Sequence, residues 1–240
     1  MKVFRWPAAV VVLLVLGSCG TSTGPDGFEE PAYPDIPDLV VFYEFDGNLE
    51  NAASDEHHAT ASRAVSYVED RHGTPNSAVR VVTDTIRVSD HPDLDITGSI
   101  TLAAWVKPEL SDHAYNAVID KDYREAYSLG VGGGAAADTV ELRAYITDSH
   151  FWQNRLVPYG TETWSHIAFT FVDSTGRGEF YLNGVPVGGG TRSVTLGTCD
   201  KELRIGVAYH GDRYKGAIDQ VAIFDRALSP AEVGDLSAFD

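Results

Sequence analysis

Cysteine is almost missing from this 240-residue chain, which has only Cys19 and Cys199. No CxxC pair and no Cys/His cluster at zinc-finger spacing occurs, which excludes a disulfide framework and argues against a structural zinc site. Positive charge is also scarce: 18 Lys and Arg stand against 35 Asp and Glu, for a formal charge of −17. Such a surface repels phosphates and anionic headgroups, so nucleic acid is not an expected partner. The one long apolar run, Ala8 to Leu16, is shorter than the roughly 20 residues that a spanning helix requires. Helical periodicity is confined to Pro230–Leu236. The eight histidines are scattered, no Gly-x-Ser-x-Gly or His-Glu-x-x-His motif is present, and the doublet His57-His58 reads as a solvated loop.

What is present begins with an export signal. Lys2 and Arg5 precede the apolar run, and Leu16-Gly17-Ser18-Cys19 follows it. This resembles the bacterial lipobox, which implies removal of the peptide preceding Cys19, lipidation of Cys19 as the new N-terminus and a membrane anchor through its acyl chains. A non-lipidated export signal is the alternative. Gly20 follows the cysteine, so the enteric rule for inner-membrane retention is not met, and the outer membrane or cell surface is the expected location. Residues 20–38 are rich in Gly, Pro, Thr and Asp and read as a flexible tether. The remaining span, 39–240, is the size of one sandwich domain.

That span reads as strand after strand. Val40–Phe45 ends in Asp46-Gly47-Asn48, while Ala78–Val82 and Thr85–Val88 read as two arms of a hairpin. Ser99–Lys107 and Trp164–Val172 alternate, and Ala126–Val131 and Val140–Thr147 flank a glycine-alanine loop at Gly132–Ala137. Asn183-Gly184 marks a tight turn, and Pro186 in the return strand points to a sheet edge. Many strands and almost no helix imply an all-β fold of two stacked antiparallel sheets, a sandwich or jelly roll.

The closing stretch carries the sharpest signals. In Ala217–Phe224, alternation groups Ile218, Ala222 and Phe224 on one face and Asp219, Val221 and Ile223 on the other. A carboxylate in such an apolar strand demands a cation or several donors. Ser229-Pro230-Ala231-Glu232 then spells a capping box with proline at the first helical position.

Several segments together resemble the laminin G-like type of concanavalin A-like jelly roll. They are Phe42–Asn48, Ser99–Pro108, Trp164–Ala168, Phe180–Gly184, Leu203–Gly206, Lys215–Val221 and Arg226–Val233, in the family's order. The resemblance implies one concave and one convex sheet with loops at the rim, and a carbohydrate- or protein-binding module. It also implies one calcium on the convex side, since the first and last strands are commonly neighbours. Asp46 and Asp219 would then supply carboxylates, Gly47 a carbonyl and Asn48 an oxygen, a donor set suited to a hard cation. The competing reading makes Asp46-Gly47-Asn48 an ordinary turn and pairs Asp219 with Arg226 or with backbone donors.

Hydrolases of the laminarinase type, related to this family, carry Glu-x-Asp-x-x-Glu on one strand. No such run occurs, and Glu141–Asp148 lacks the spacing that glycoside hydrolysis needs. A binding module rather than an enzyme is therefore expected, with an unrecognised hydrolase the remaining alternative. Aromatics outside the strand cores are the candidate sugar contacts, because flat rings pack against pyranose faces. Tyr123, Trp152, Tyr209, His210 and Tyr214 are the chosen set, with Tyr115 and Phe151 also placed near loops. A polysaccharide or glycan is the expected partner; a surface protein, or a purely structural role, is the alternative.

Overall fold

The computed structural model describes residues 34–81, 85–109, 115–132, 139–158 and 163–239. Cys19, the signal segment, most of the tether and positions 133–137 of the glycine-alanine loop lie outside the described residues. Residues 34–38, read as the end of the tether, are packed on the domain. Ile36 joins an apolar cluster, and Asp225 N–H donates to the Asp38 carbonyl at 2.9 Å.

The described chain is β throughout until its end. The strands are β1 (Leu39–Tyr43), β2 (Thr60–Ala61), β3 (Ser66–Val68), β4 (Ala78–Val81), β5 (Ile86–Val88), β6 (Ile100–Pro108) and β7 (Tyr115–Lys121). There follow β8 (Tyr127–Gly132), β9 (Thr139–Ile146), β10 (Ser149–Pro158), β11 (Ser165–Val172) and β12 (Arg177–Leu182). The chain closes with β13 (Val185–Thr191), β14 (Leu203–Ile205), β15 (Gly216–Phe224) and the helix α1 (Pro230–Ala238). Two antiparallel sheets result. The first runs β13-β12-β11-β6-β15-β4-β3 with β1 also paired to β15, and the second runs β10-β9-β8-β7-β14-β5-β2. This is the expected jelly-roll sandwich.

Strand alternation builds the core between them. Leu102, Ala104 and Val106 of β6 and Ile167, Phe169 and Phe171 of β11 face Leu129 and Val131 of β8 and Leu142, Ala144 and Ile146 of β9. Each such large side chain removed from water contributes on the order of 2 kcal/mol. Cys199 is a free, buried thiol packed into this core, so no disulfide closes the sandwich among the described residues.

The outer faces differ. Helix α1 covers the first sheet: Val233 and Leu236 pack with Phe42, Ala103, Ala168, Ala222 and Phe224. Its capping box is complete, with Ser229 Oγ accepting from Glu232 N–H and the Glu232 carboxylate accepting from Ser229 N–H. The second sheet has no such apolar cover among the described residues.

Three expectations are corrected. Ala78–Val81 and Ile86–Val88 are not arms of one hairpin. β4 pairs with β15 and β3 in the first sheet, whereas β5 pairs with β14 and β2 in the second. Pairing with partners distant in sequence overrides the local turn signal. In β15 a bulge between Asp219 and Ala222, with Gln220 at φ 45°, inserts one residue and breaks the alternation. Ile218, Val221 and Ile223 therefore all face the core, and Asp219, opposite Trp105, falls on the outer face. Pro186 does lie on an edge strand, β13. The third correction concerns His57, which is not a solvated loop residue: its side chain is 7% exposed.

Candidate ligand-binding face

The uncovered outer face of the second sheet gathers aromatic and polar side chains from four strands and two turns. On β9, Glu141, Arg143 and Tyr145 alternate against the core residues Leu142, Ala144 and Ile146. On β10, Phe151 points inward while His150 and Trp152 flank it on the other face. The His150 ring stacks on Tyr145 at 4.6 Å and 13°, and Trp152 lies 5.3 Å beyond it. On the far side, Tyr123 in the β7–β8 turn sits 4.8 Å from Tyr145, and His210 meets Tyr123 edge-on at 5.2 Å. A continuous run, Trp152–His150–Tyr145–Tyr123–His210, thus crosses the face. Trp152 is 52% exposed and its ring is backed by the Arg192 guanidinium at 5.4 Å.

Beneath the run lies a polar floor. Asp120 on β7 is buried, and its Oδ2 accepts the Tyr209 N–H at 2.8 Å, which pins the loop bearing His210. The Ser128 hydroxyl spends its proton on the Ile119 carbonyl at 2.8 Å and accepts from the Tyr115 hydroxyl. It has no proton left for Asp120, so Asp120 Oδ1 is buried without a hydrogen-bond partner. Burial pushes the Asp120 pKa up to about 6, with its neighbour Asp122 adding to the rise. Arg143 Nε and His150 Nε2 are likewise buried without partners. Burial, then Arg143 and Arg192, hold the His150 pKa below its ordinary value. Unpaired buried polar atoms are costly. These three atoms lie beneath the face, out of reach of solvent, so a ligand reaches them only where the side chains above them move aside. Gly130, paired with Arg143, keeps this floor flat, since a Cβ there would meet the Asn116 carbonyl oxygen at 2.3 Å.

The expected contact residues divide accordingly. Tyr123, Trp152 and His210 are brought together. Tyr209 is adjacent, but its ring is covered by the Arg204 guanidinium at 3.8 Å. Tyr214 is corrected: it is 1% exposed, lies in the central core and donates its hydroxyl to the Ala217 carbonyl at 3.1 Å. Its ring fills the sandwich and leaves no face for a ligand. Phe151 is a core residue for the same reason. Sequence reading missed Tyr145, His150 and Asp120, because it sought aromatics in loops. The polar-apolar alternation of 141–146 was the signal that placed Tyr145 on an outer face.

The expected metal residues converge as well. β1 and β15 pair with Tyr43 opposite Val221, so Asp46 and Asp219 approach the same end. Asp219 is buried, and its pKa is pushed up to about 8 by burial, with Asp46 and Asp70 adding to the rise against the lowering effect of Arg71. The Arg71 guanidinium lies 3.5 Å from Asp219 Oδ2 and 4.8 Å from the Trp105 ring centre. Of the competing reading's two alternatives, Arg226 is paired elsewhere, with Glu232 and Asp38, while a backbone donor is present, the Gln220 N–H at 2.7 Å from Asp219 Oδ1. Asn48 closes a turn, with its amide donating to the Asp46 carbonyl at 3.1 Å and its oxygen accepting Glu50 N–H at 2.8 Å. The side chain of Asn48 is thereby committed to the turn. The donor chemistry around Asp219 is all-oxygen, as a hard cation takes, but among the described residues the carboxylates of Asp46, Asp70 and Asp219 do not group within 4.8 Å of one another.

No curated protein matches the chain in sequence. Among solved structures it is similar to domain 4 of AbnA, an extracellular arabinanase from Geobacillus stearothermophilus determined with arabinotriose. That match has 23% identity and a TM-score of 0.65, covering 83% of this chain and 98% of that one. It is also similar to the binding domain of Paraclostridial Mosquitocidal Protein 1, at 13% identity and TM-score 0.62 over 83% of this chain and 52% of that one. A third is a botulinum neurotoxin type C structure whose cell entry depends on two ganglioside molecules, at 13% identity, TM-score 0.58, and 84% and 51% coverage. The chain spans about half the length of these toxin domains. At such identities the likeness establishes the fold. The pattern described as concanavalin A-like lectin/glucanases superfamily, of laminin G type, matches residues 81–234, and with both sheets in place the chain belongs to that family.

Proposed function

We propose that this protein is a glycan-binding module that seats a saccharide chain across the outer face of the second sheet. The observation that carries this reading is the aromatic run from Trp152 to His210 above the unpartnered polar atoms of Asp120, Arg143 and His150. Rings offer flat apolar faces to sugar C–H groups, while the partly exposed Glu141 and Arg143 side chains beside them take hydroxyls. The similar arabinanase domain, solved with arabinotriose, and the ganglioside-linked toxin structure support a saccharide as the ligand class. The reading assigns no catalytic step to the chain.

A glycan panel that includes arabino-oligosaccharides tests it. The wild-type chain is expected to retain at least one saccharide, and Trp152→Ala to lose affinity by about tenfold or more, as truncation of a central aromatic anchor does. Retention of every ligand by Trp152→Ala, or no saccharide bound at all, contradicts it.

We further infer a structural calcium at Asp46 and Asp219, with Asp70 as a third carboxylate and Gly47 contributing a carbonyl. The support is the crowding of Asp46 and Asp70 around the buried Asp219, with the Arg71 guanidinium beside it. When bound, calcium supplies counter-charge to the junction of the first and last strands. Cys19 would carry the acyl anchor, so that the module is displayed from a membrane.

A further inference from the structure

A second cluster lies apart from both the saccharide face and the Asp46–Asp219 junction. Among the described residues, one nitrogen from each of His57 and His91 and one oxygen of Asp93 lie within 4.8 Å of one another. His57 Nε2 is 3.0 Å from Asp93 Oδ2, and His91 Nδ1 is 3.4 Å from the same oxygen; His91 Nδ1 also accepts the Asp93 N–H at 3.2 Å, a bond that a metal at this nitrogen replaces. The imidazole ring centres are 4.4 Å apart. Ligands at about 2.0–2.1 Å from a tetrahedral zinc ion lie about 3.3 Å from one another. The two separations bracket that value.

The cluster is built rather than incidental. His57 adopts a left-handed backbone at φ 61°, an unfavourable conformation for a residue with a Cβ. Its carbonyl is held there by the Tyr43 hydroxyl at 2.5 Å, and its side chain is 7% exposed. The segment carrying His91 and Asp93 is clamped at both ends by Lys121, which is fully buried and lies 2.6 Å from Asp90 and 3.2 Å from Asp95. The Tyr127 hydroxyl donates to the Leu94 carbonyl at 3.0 Å. Two loops far apart in sequence are thus fixed with their nitrogen and oxygen donors facing one another. The Glu56 carboxylate stands 3.9 Å from His57 Nε2 at the exposed rim.

We propose that His57, His91 and Asp93 form a site for a divalent transition metal of the zinc class, with Glu56 or water completing four coordinates. Two imidazoles and one carboxylate match the ligand type that zinc, nickel and copper take, and are softer than the all-oxygen set that calcium prefers. The ion joins the loop after β1 to the segment before β6 and so stabilises the folded chain in proportion to its binding.

The test is calorimetric titration of the metal-stripped full chain with Zn²⁺, followed by Co²⁺ as a spectroscopic probe. The expected result is one Zn²⁺ per chain, visible Co²⁺ absorption of a four-coordinate centre, and at least about a tenfold affinity loss in Asp93→Asn and His91→Ala. Asp46→Asn is expected to leave Zn²⁺ affinity unchanged, which separates this site from the carboxylate junction. His57→Ala risks misfolding through the strained turn, so the half-exposed His91 carries the decision. Absence of saturable binding in a chain whose circular dichroism shows it folded overturns the proposal. Equal affinity in wild type and His91→Ala overturns it too, leaving a hydrogen-bonded histidine pair.

Discussion

At Asp219 and Asp120, burial outweighs the neighbouring donors and cations. Asp219 sits beside Arg71, yet its pKa rises to about 8, and Asp120 rises to about 6. For each, the folded chain holds a proton through a pH range in which the unfolded chain, near 3.9, has already lost it. Their contribution to stability is therefore fullest below about pH 4 and declines as pH rises through the folded value. Chemical denaturation in calcium-free buffer between pH 5 and 9 is expected to show wild type losing stability relative to Asp219→Asn, by on the order of 4 kcal/mol. A difference independent of pH contradicts the assignment. Sequence reading found Asp219 because a carboxylate stands out in an apolar strand. It did not find Arg71, which arrives from 148 positions away. Of the two partners the competing reading offered Asp219, the backbone donor is found in Gln220 N–H, whereas Arg226 pairs with Glu232 and Asp38.

At the scale of elements, flatness and capping are the features most open to test. Gly130→Ala is expected to break the β7–β8 pairing, because its Cβ would meet the Asn116 carbonyl oxygen at 2.3 Å and the Ala117 Cα at 2.9 Å. Both are backbone atoms that cannot rotate away, so a loss of about 1–3 kcal/mol should appear as a lower thermal midpoint. An unchanged midpoint would mean that the strands re-space freely. Ser229→Ala removes the acceptor for Glu232 N–H and is expected to cost about 1 kcal/mol of stability by denaturant titration. The capping box and the edge position of Pro186 were legible in residue types, because local chemistry sets both, whereas the pairing of the first and last strands came from the family resemblance. The bulge at Gln220 was not legible. A side chain at φ 45° leaves no mark in composition, and one inserted residue moved Asp219 to the opposite face. His57 misled for a related reason, since its burial depends on a loop anchored by Lys121 more than 60 positions later.

At the scale of the whole molecule, the two sheets differ in their outer faces. Helix α1 seals the first sheet, and the second carries the aromatic run. The formal charge of −17 gives the chain a reason to bind cations where acids crowd. Thermal unfolding with calcium and with chelator is expected to differ, with a higher midpoint in calcium; identical midpoints count against the Asp46–Asp219 site. The fold class was readable from strand count and turn signals, whereas the binding face was readable only in fragments. Tyr123, Trp152 and His210 carried enough local signal, but Tyr145 and His150 needed the register of β9 against β10.

The most direct measurement of the central claim is calorimetric titration of one panel-selected saccharide into wild type, Tyr145→Ala and Trp164→Ala. Tyr145 joins His150 to Tyr123 in the middle of the proposed face, while Trp164 packs against Lys107 of β6 in the first sheet. Binding by wild type and Trp164→Ala, with affinity at least about tenfold weaker in Tyr145→Ala, is the predicted result. Equal affinity in wild type and Tyr145→Ala, or loss in Trp164→Ala alone, would place recognition elsewhere and contradict the account.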